Sequence, residues 1–129
     1  MPTLGFQKTL GLRLLVVEPR LVTAELDIAD KHANSVGAVH GGVLMALADS
    51  LGAIGAVQNL AEGQFTATLN SQTYFIAPAS GTVLRASCSP LHLGRRTSIW
   101  RTDIRSGATG EERLVATVTQ TQLHIEAER

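Results

Sequence analysis

The chain has no excess of either charge: eleven Lys and Arg residues offset eleven Asp and Glu over 129 positions. A balanced field gives no argument for nucleic acid or an anionic membrane surface as a partner, so any anionic ligand must be held by a local basic cluster. Cysteine is almost absent. The single Cys88 excludes an internal disulfide and reads as a small buried hydrophobe, compatible with a reducing compartment. No apolar run is long enough for a bilayer: Val43 to Val57 is broken by Asp49 and Ser50 and falls short of the ~20 residues a span needs. The N-terminal stretch lacks a basic segment followed by an apolar one, so no secretory signal is expected and a cytoplasmic location is. Aromatic residues make up 4%, too few to outline a ligand pocket. Repeats, low-complexity tracts and linkers are missing too. The length suits one domain over residues 1–129, without room for a second, cofactor-carrying one.

What is present is strand, helix and turn chemistry in a clear order. Leu12 to Ile28 is rich in β-branched residues and leucine around Glu18-Pro19-Arg20, which predicts two strands or one long bent strand about a proline turn. Asp30 to Ala38 carries Asn34, Ser35 and Gly37 and reads as a loop. A helix is expected from His40 to about Asn59. It is apolar on nearly every face, and so should be wrapped by the rest of the chain. Four strand-like segments follow: Thr66 to Ile76, Thr82 to His92, Thr97 to Arg105 and Arg113 to Ile125. Their separators are short, with Pro or Gly, as antiparallel hairpins require. The expectation is an α+β fold with one long central helix inside a curved, mainly antiparallel sheet.

Asp49 stands out because it is the only charged residue between His40 and Asn59. Aspartate is a poor mid-helix residue, and burying an unpaired carboxylate costs several kcal/mol, so a function or a specific partner must offset the cost. At a cleft or subunit boundary it would serve as base or nucleophile; fixed by loop amides or a hydroxyl, it would only set packing. His40-Gly41-Gly42 at the helix start allows close approach to backbone N–H groups at the positive end of the helix dipole, which suits a developing oxyanion. Taken alone, the same triplet is a tight turn into a helix. Asn34 could cap a turn or donate its amide to a carbonyl oxygen.

Asn34, His40-Gly41-Gly42 and Asp49 together resemble the signature of hotdog-fold thioesterases related to the phenylacetic-acid-degradation and 4-hydroxybenzoyl-CoA enzymes. Phe75-Ile76-Ala77-Pro78-Ala79, Pro90 to Thr97 and Leu114 to Thr121 match further, and the resemblance runs from about Gly11 to Ile125. It implies an acyl-CoA thioesterase in which Asp49 attacks the thioester or activates water and Gly41 offers its N–H to the carbonyl oxygen. Asn34 and His40 would orient that carbonyl, and Thr68 would hold the water near the carboxylate. The Leu-His-Leu-Gly stretch is most like the aryl-CoA branch, whose helix carboxylate is usually Glu rather than the Asp found here.

Coenzyme A needs cations for its phosphates, and Arg95 and Arg96 between two strands are the candidates. No dinucleotide fingerprint, P-loop or metal-ligand spacing is present, so no metal and no bound cofactor is expected. Two other readings share the fold: an acyl-thioester dehydratase or hydratase, and a non-catalytic acyl-CoA binder. Gly41 and Asp49 are eight helical steps apart, about 12 Å, too far to serve one thioester carbonyl from one chain. A homodimer with shared sites is therefore expected, and by resemblance a homotetramer.

Overall fold

The computed structural model describes residues 3–128. A short helix α1 (Gly5–Leu10) leads to strands β1 (Leu12–Glu18) and β2 (Leu21–Asp27), then to a single 3-10 turn at Asp30–His32. The long helix α2 (Gly41–Val57) follows, and β3 (Gln64–Phe75), β4 (Val83–Leu93), β5 (Thr97–Ser106) and β6 (Arg113–Glu126) complete the chain. All pairings are antiparallel, in one six-stranded sheet of order β1-β2-β4-β5-β6-β3. This is the hotdog arrangement, with α2 laid across the concave side. Two strands about Pro19-Arg20 confirm the hairpin form of the first segment.

The helix lies unusually close to the sheet because two of its residues have no side chain. A Cβ at Gly52 would fall 2.2 Å from Gln120 Nε2, and one at Gly55 2.6 Å from the ring of Trp100. On the turns before these contacts Leu47, Ala48 and Leu51 are fully buried in one core with Leu26, Leu84, Ile104 and Val118. Each such leucine contributes roughly 1.5–3 kcal/mol of transfer free energy.

One expectation needs correction, and two features lie outside what the pattern foretells. Ala77 to Gly81 is not a hairpin: β3 pairs with β6, whereas β4 lies between β2 and β5. The segment crosses the end of β5 and β6, with Ile76 and Ala77 N–H donating to Val115 O and Ser80 N–H to Ser106 Oγ. A short Pro- and Gly-bearing link has the same composition either way. Secondly, the sheet covers α2 as expected, but one stripe of the helix stays open. Gly42, Met45, Asp49 and Val57 are exposed along one stripe, so the carboxylate of Asp49 is not buried within a single chain. Thirdly, α1 was not foreseen; six residues carry too little periodicity, and the helix is held from outside, by its buried Leu10 and by His32.

Strand β3 forms one sheet edge and is exposed over most of its length, including Phe65, Leu69, Tyr74 and Phe75. A bulge interrupts its pairing with β6: Thr68 faces Gln122 and Asn70 faces Thr121, so Leu69 is the extra residue.

Candidate active site

The loop before α2 is built around Asn34. Its Oδ1 accepts from the N–H groups of Val36 and Ala38, both at 3.0 Å, and its backbone N–H donates to Ala38 O at 2.7 Å. The side chain thus caps the turn with its oxygen, and its amide nitrogen remains the end that could donate to a ligand. His32 anchors the same loop from below. Its Nδ1 accepts from Ala29 N–H at 2.9 Å, so the proton of the neutral ring sits on Nε2 and is donated to Leu10 O at 2.8 Å.

His40 is the N-cap of α2, and its Nδ1 accepts from Gly42 N–H at 2.8 Å. This bond places the proton of a neutral His40 on Nε2. The cap consumes the Gly42 N–H but not that of Gly41, which as the first helical residue has no intrahelical acceptor. Gly41 is tight against Phe75: a Cβ there would lie 3.1 Å from the ring. Beside it runs an apolar groove of about 460 Å³ lined by Val39, Gly41, Leu44, Phe75, Ile76 and Pro78. An N–H at a helix start, next to an apolar groove, can polarise the carbonyl of a ligand whose apolar end occupies that groove.

Two turns further along α2, Thr68 Oγ1 donates to Asp49 Oδ1 at 2.8 Å. Behind Thr68 the interior is polar. Gln122 Nε2 donates to Thr68 Oγ1 at 2.8 Å, and Thr66 Oγ1 donates to Gln122 Oε1 at 2.9 Å. Gln122 is fully buried, as is its neighbour on the same face, Gln120, whose Nε2 lies 3.4 Å from Asp49 O. The sequence singles out Asp49 and Thr68 but not Thr66 and Gln122, which the structure joins to them. The signal available was the period-two run Gln120, Gln122 and His124 in the last strand.

Arg95 and Arg96 are exposed on the β4–β5 turn, at the sheet end where Thr66 lies. They border an open cavity of about 510 Å³ with Gln64, His124 and Glu126. His124 clamps the turn: its Nδ1 is 3.2 Å from Arg95 O, and its backbone N–H donates to Arg96 O at 2.8 Å. Trp100 Nε1 donates to Ser98 Oγ, which in turn meets His124 Nε2 at 3.0 Å. Among the described residues no group of three or more His, Cys, Asp or Glu is arranged to hold a metal ion, and no helix is long and apolar enough to cross a membrane.

The structure therefore gathers the catalytic candidates into two clusters on one chain, apart from the arginine pair. Asn34, His40 and Gly41 stand at the start of α2, and Asp49 with Thr68 stands eight residues on, about 12 Å along the helix. The helix begins at Gly41 itself, so the His-Gly-Gly segment is not a free loop that folds back toward Asp49.

A family model described as the thioesterase superfamily matches residues 36–112, a span containing His40, Gly41, Asp49, Thr68, Arg95 and Arg96. A candidate esterase of Mycobacterium tuberculosis is 32% identical over 120 residues, covering 87% of this chain and 86% of its own. Its solved structure superposes with a TM-score of 0.87 at 30% identity, covering 96% of this chain and 98% of that one. A 1,4-dihydroxy-2-naphthoyl-CoA hydrolase of Listeria monocytogenes is 26% identical over 78% of this chain and 82% of its own. A thioesterase family protein from Silicibacter pomeroyi, at 23% identity, shares the fold with a TM-score of 0.89 over 95% of this chain and 90% of that one.

Proposed function

Since the chain belongs to the thioesterase superfamily, we propose that it hydrolyses the thioester of an aryl- or medium-size acyl-CoA to the free acid and coenzyme A. The observation that carries this reading is the contact between Thr68 and Asp49, which aims a carboxylate oxygen at an exposed helix face beside an unpaired strand edge. The N–H of Gly41, with the helix dipole behind it, takes the thioester carbonyl oxygen and stabilises the oxyanion as it forms. Asn34 and the Nε2–H of His40 orient the same carbonyl. Asp49 either takes a proton from the water that attacks the carbonyl carbon and returns it to the departing thiolate of coenzyme A, or attacks that carbon itself. In the second case it expels the thiolate to form a mixed anhydride that water then cleaves to the free acid and the Asp49 carboxylate, the water's remaining proton going to the thiolate.

Because the clusters on one chain are about 12 Å apart, the working site is formed by two chains, with Asp49 of one beside Gly41 of the other. The exposed edge of β3, with Phe65, Leu69 and Tyr74, and the open stripe of α2 with Met45 and Val57 are the surfaces that such a two-fold contact would cover. Residues 1–129 act as one catalytic domain, and the assembled unit is a homodimer or a tetramer of two dimers. Arg95 and Arg96 bind the phosphates of coenzyme A, and the groove beside Gly41 receives the acyl group.

A panel of aryl and aliphatic acyl-CoAs assayed for thiol release tests the proposal. The expected result is turnover of at least one class, reduced by two to three orders of magnitude in Asp49→Asn, about the scale for losing a positioned base or nucleophile. Formation of a conjugated double bond with the thioester intact would replace it with a dehydratase. Stable binding indifferent to Asp49→Asn would replace it with a non-catalytic acyl-CoA binder.

A further inference from the structure

The polar chain behind Asp49 runs in one direction, and a fully buried glutamine sets that direction. Thr68 has a single O–H. Its Oγ1 lies 2.8 Å both from Asp49 Oδ1 and from Gln122 Nε2. An amide nitrogen can only donate, so with this orientation of Gln122 the threonine accepts from Gln122 and must give its own proton to Asp49. Thr66 donates to Gln122 Oε1 at 2.9 Å, consistent with the same orientation.

The opposite orientation can be judged by counting protons. Thr66 Oγ1 is also 3.0 Å from Leu123 O and could donate there, which would free Gln122 to turn its amide over. Gln122 Oε1 would then claim the O–H of Thr68. The 2.8 Å contact between Thr68 Oγ1 and Asp49 would hold no proton unless the carboxyl itself carried one. An ionised Asp49, which the hydrolytic reading needs, is therefore compatible only with the chain Thr66 to Gln122 to Thr68 to Asp49.

We infer that Gln122, oriented by Thr66, is a positioning residue that holds the Thr68 hydroxyl as a donor to Asp49 Oδ1, so that Oδ2 is the oxygen left to act on water or thioester. The inference rests on the proposed hydrolysis, but it fails separately. Loss of thiol release in Asp49→Asn tests the hydrolytic reading, whereas Gln122 variants test this one. Gln122 is fully buried and does not line the groove beside Gly41, and its hydrogen bond toward Asp49 runs through Thr68.

The test is a double-mutant cycle on kcat. Gln122→Met conserves volume and removes the amide; it is expected to lower kcat about three- to tenfold, the scale for losing the neutral hydrogen bond it gives Thr68, with KM for acyl-CoA within about twofold. In a Thr68→Val background the same change should lower kcat no further, and in a Thr68→Ser background, which keeps a hydroxyl, the dependence on Gln122 should return. If Gln122→Met does not fold, Thr66→Val replaces it in the cycle, with a smaller loss of kcat expected that again disappears in Thr68→Val. A folded Gln122→Met or Thr66→Val chain with unchanged kcat would overturn the inference. So would losses that multiply with Thr68→Val, or a rise in KM that matches the fall in kcat.

Discussion

Thr68 and Asp49 meet at 2.8 Å, hydroxyl to carboxylate, between the sheet edge and the outward stripe of α2. Neither side chain is buried in the single chain, so the contact contributes little to folding. Thr68→Val is expected to leave the melting temperature within a few degrees of the parent and to lower thiol release about tenfold or more. A thermal melt beside a steady-state assay checks both halves; a stability loss without a kinetic one would make the pair structural.

The shared site can be tested by complementation. Gly41→Val places atoms where the Phe75 ring already sits, 3.1 Å from a Cβ, and should block the groove without unfolding the chain. Mixed with Asp49→Asn chains, it should yield heterodimers with one intact site and up to about half the parental activity. Heterodimers that assemble and stay inactive would refute the two-chain site, as would a fully active monomer.

For the arginine pair the expected effect is on binding. Arg95→Ala with Arg96→Ala should raise KM for acyl-CoA much more than for a short pantetheine thioester, because only the former carries the nucleotide phosphates. Equal effects on the two substrates would remove the pair from the phosphate site.

Cys88 is fully buried, and that burial pushes its thiol up to about 11 from the ordinary 9.0, against a smaller opposing effect of Thr102. The native chain should resist a thiol reagent at pH 8 and react once unfolded, which also keeps Cys88 out of a thiol-release assay. The sign for stability follows from linkage. The unfolded thiol ionises first, so the contribution of the protonated buried thiol is complete below about pH 9 and is lost as pH rises toward about 11. Melting temperatures across that window should fall less steeply in Cys88→Ala.

Helix and strands were legible because their patterns are local. The apolar run at Val43 to Val57 became α2, and the segments after Gly63 became β3 to β6 within about two residues of the expected ends. Strand order was not legible, since Ala77 to Gly81 has the composition of a hairpin while the interior bonding of Val115 and Ser106 draws it across the sheet. Asp49, His40 and Gly41 were visible as exceptions to their surroundings. Gln120 and Gln122 were not: in β6 they alternate with Thr119, Thr121 and Leu123, and ordinary patterning would turn the glutamines out to solvent. The structure buries them because Gly52, lacking a side chain, lets α2 descend onto Gln120, and because Thr66 and Thr68 satisfy Gln122.

The extra residue at Leu69 gives the edge strand a phase slip. Thr68 reaches Asp49 and Phe75 covers Gly41, both on the helix side of the sheet. They are seven positions apart, an odd offset that would send them to opposite faces of a regular strand. With Leu69 set out of register, Thr66 and Thr68 face α2 before the slip and Thr73 and Phe75 face it after. The Asp49 and Gly41 ends of the proposed site are thereby indexed to one strand. Loss of the extra residue would leave Thr68 and Phe75 six positions apart, an even offset that a regular strand keeps on one face, so the hydroxyl and the ring are turned apart only by a single deletion that leaves the bulge in place.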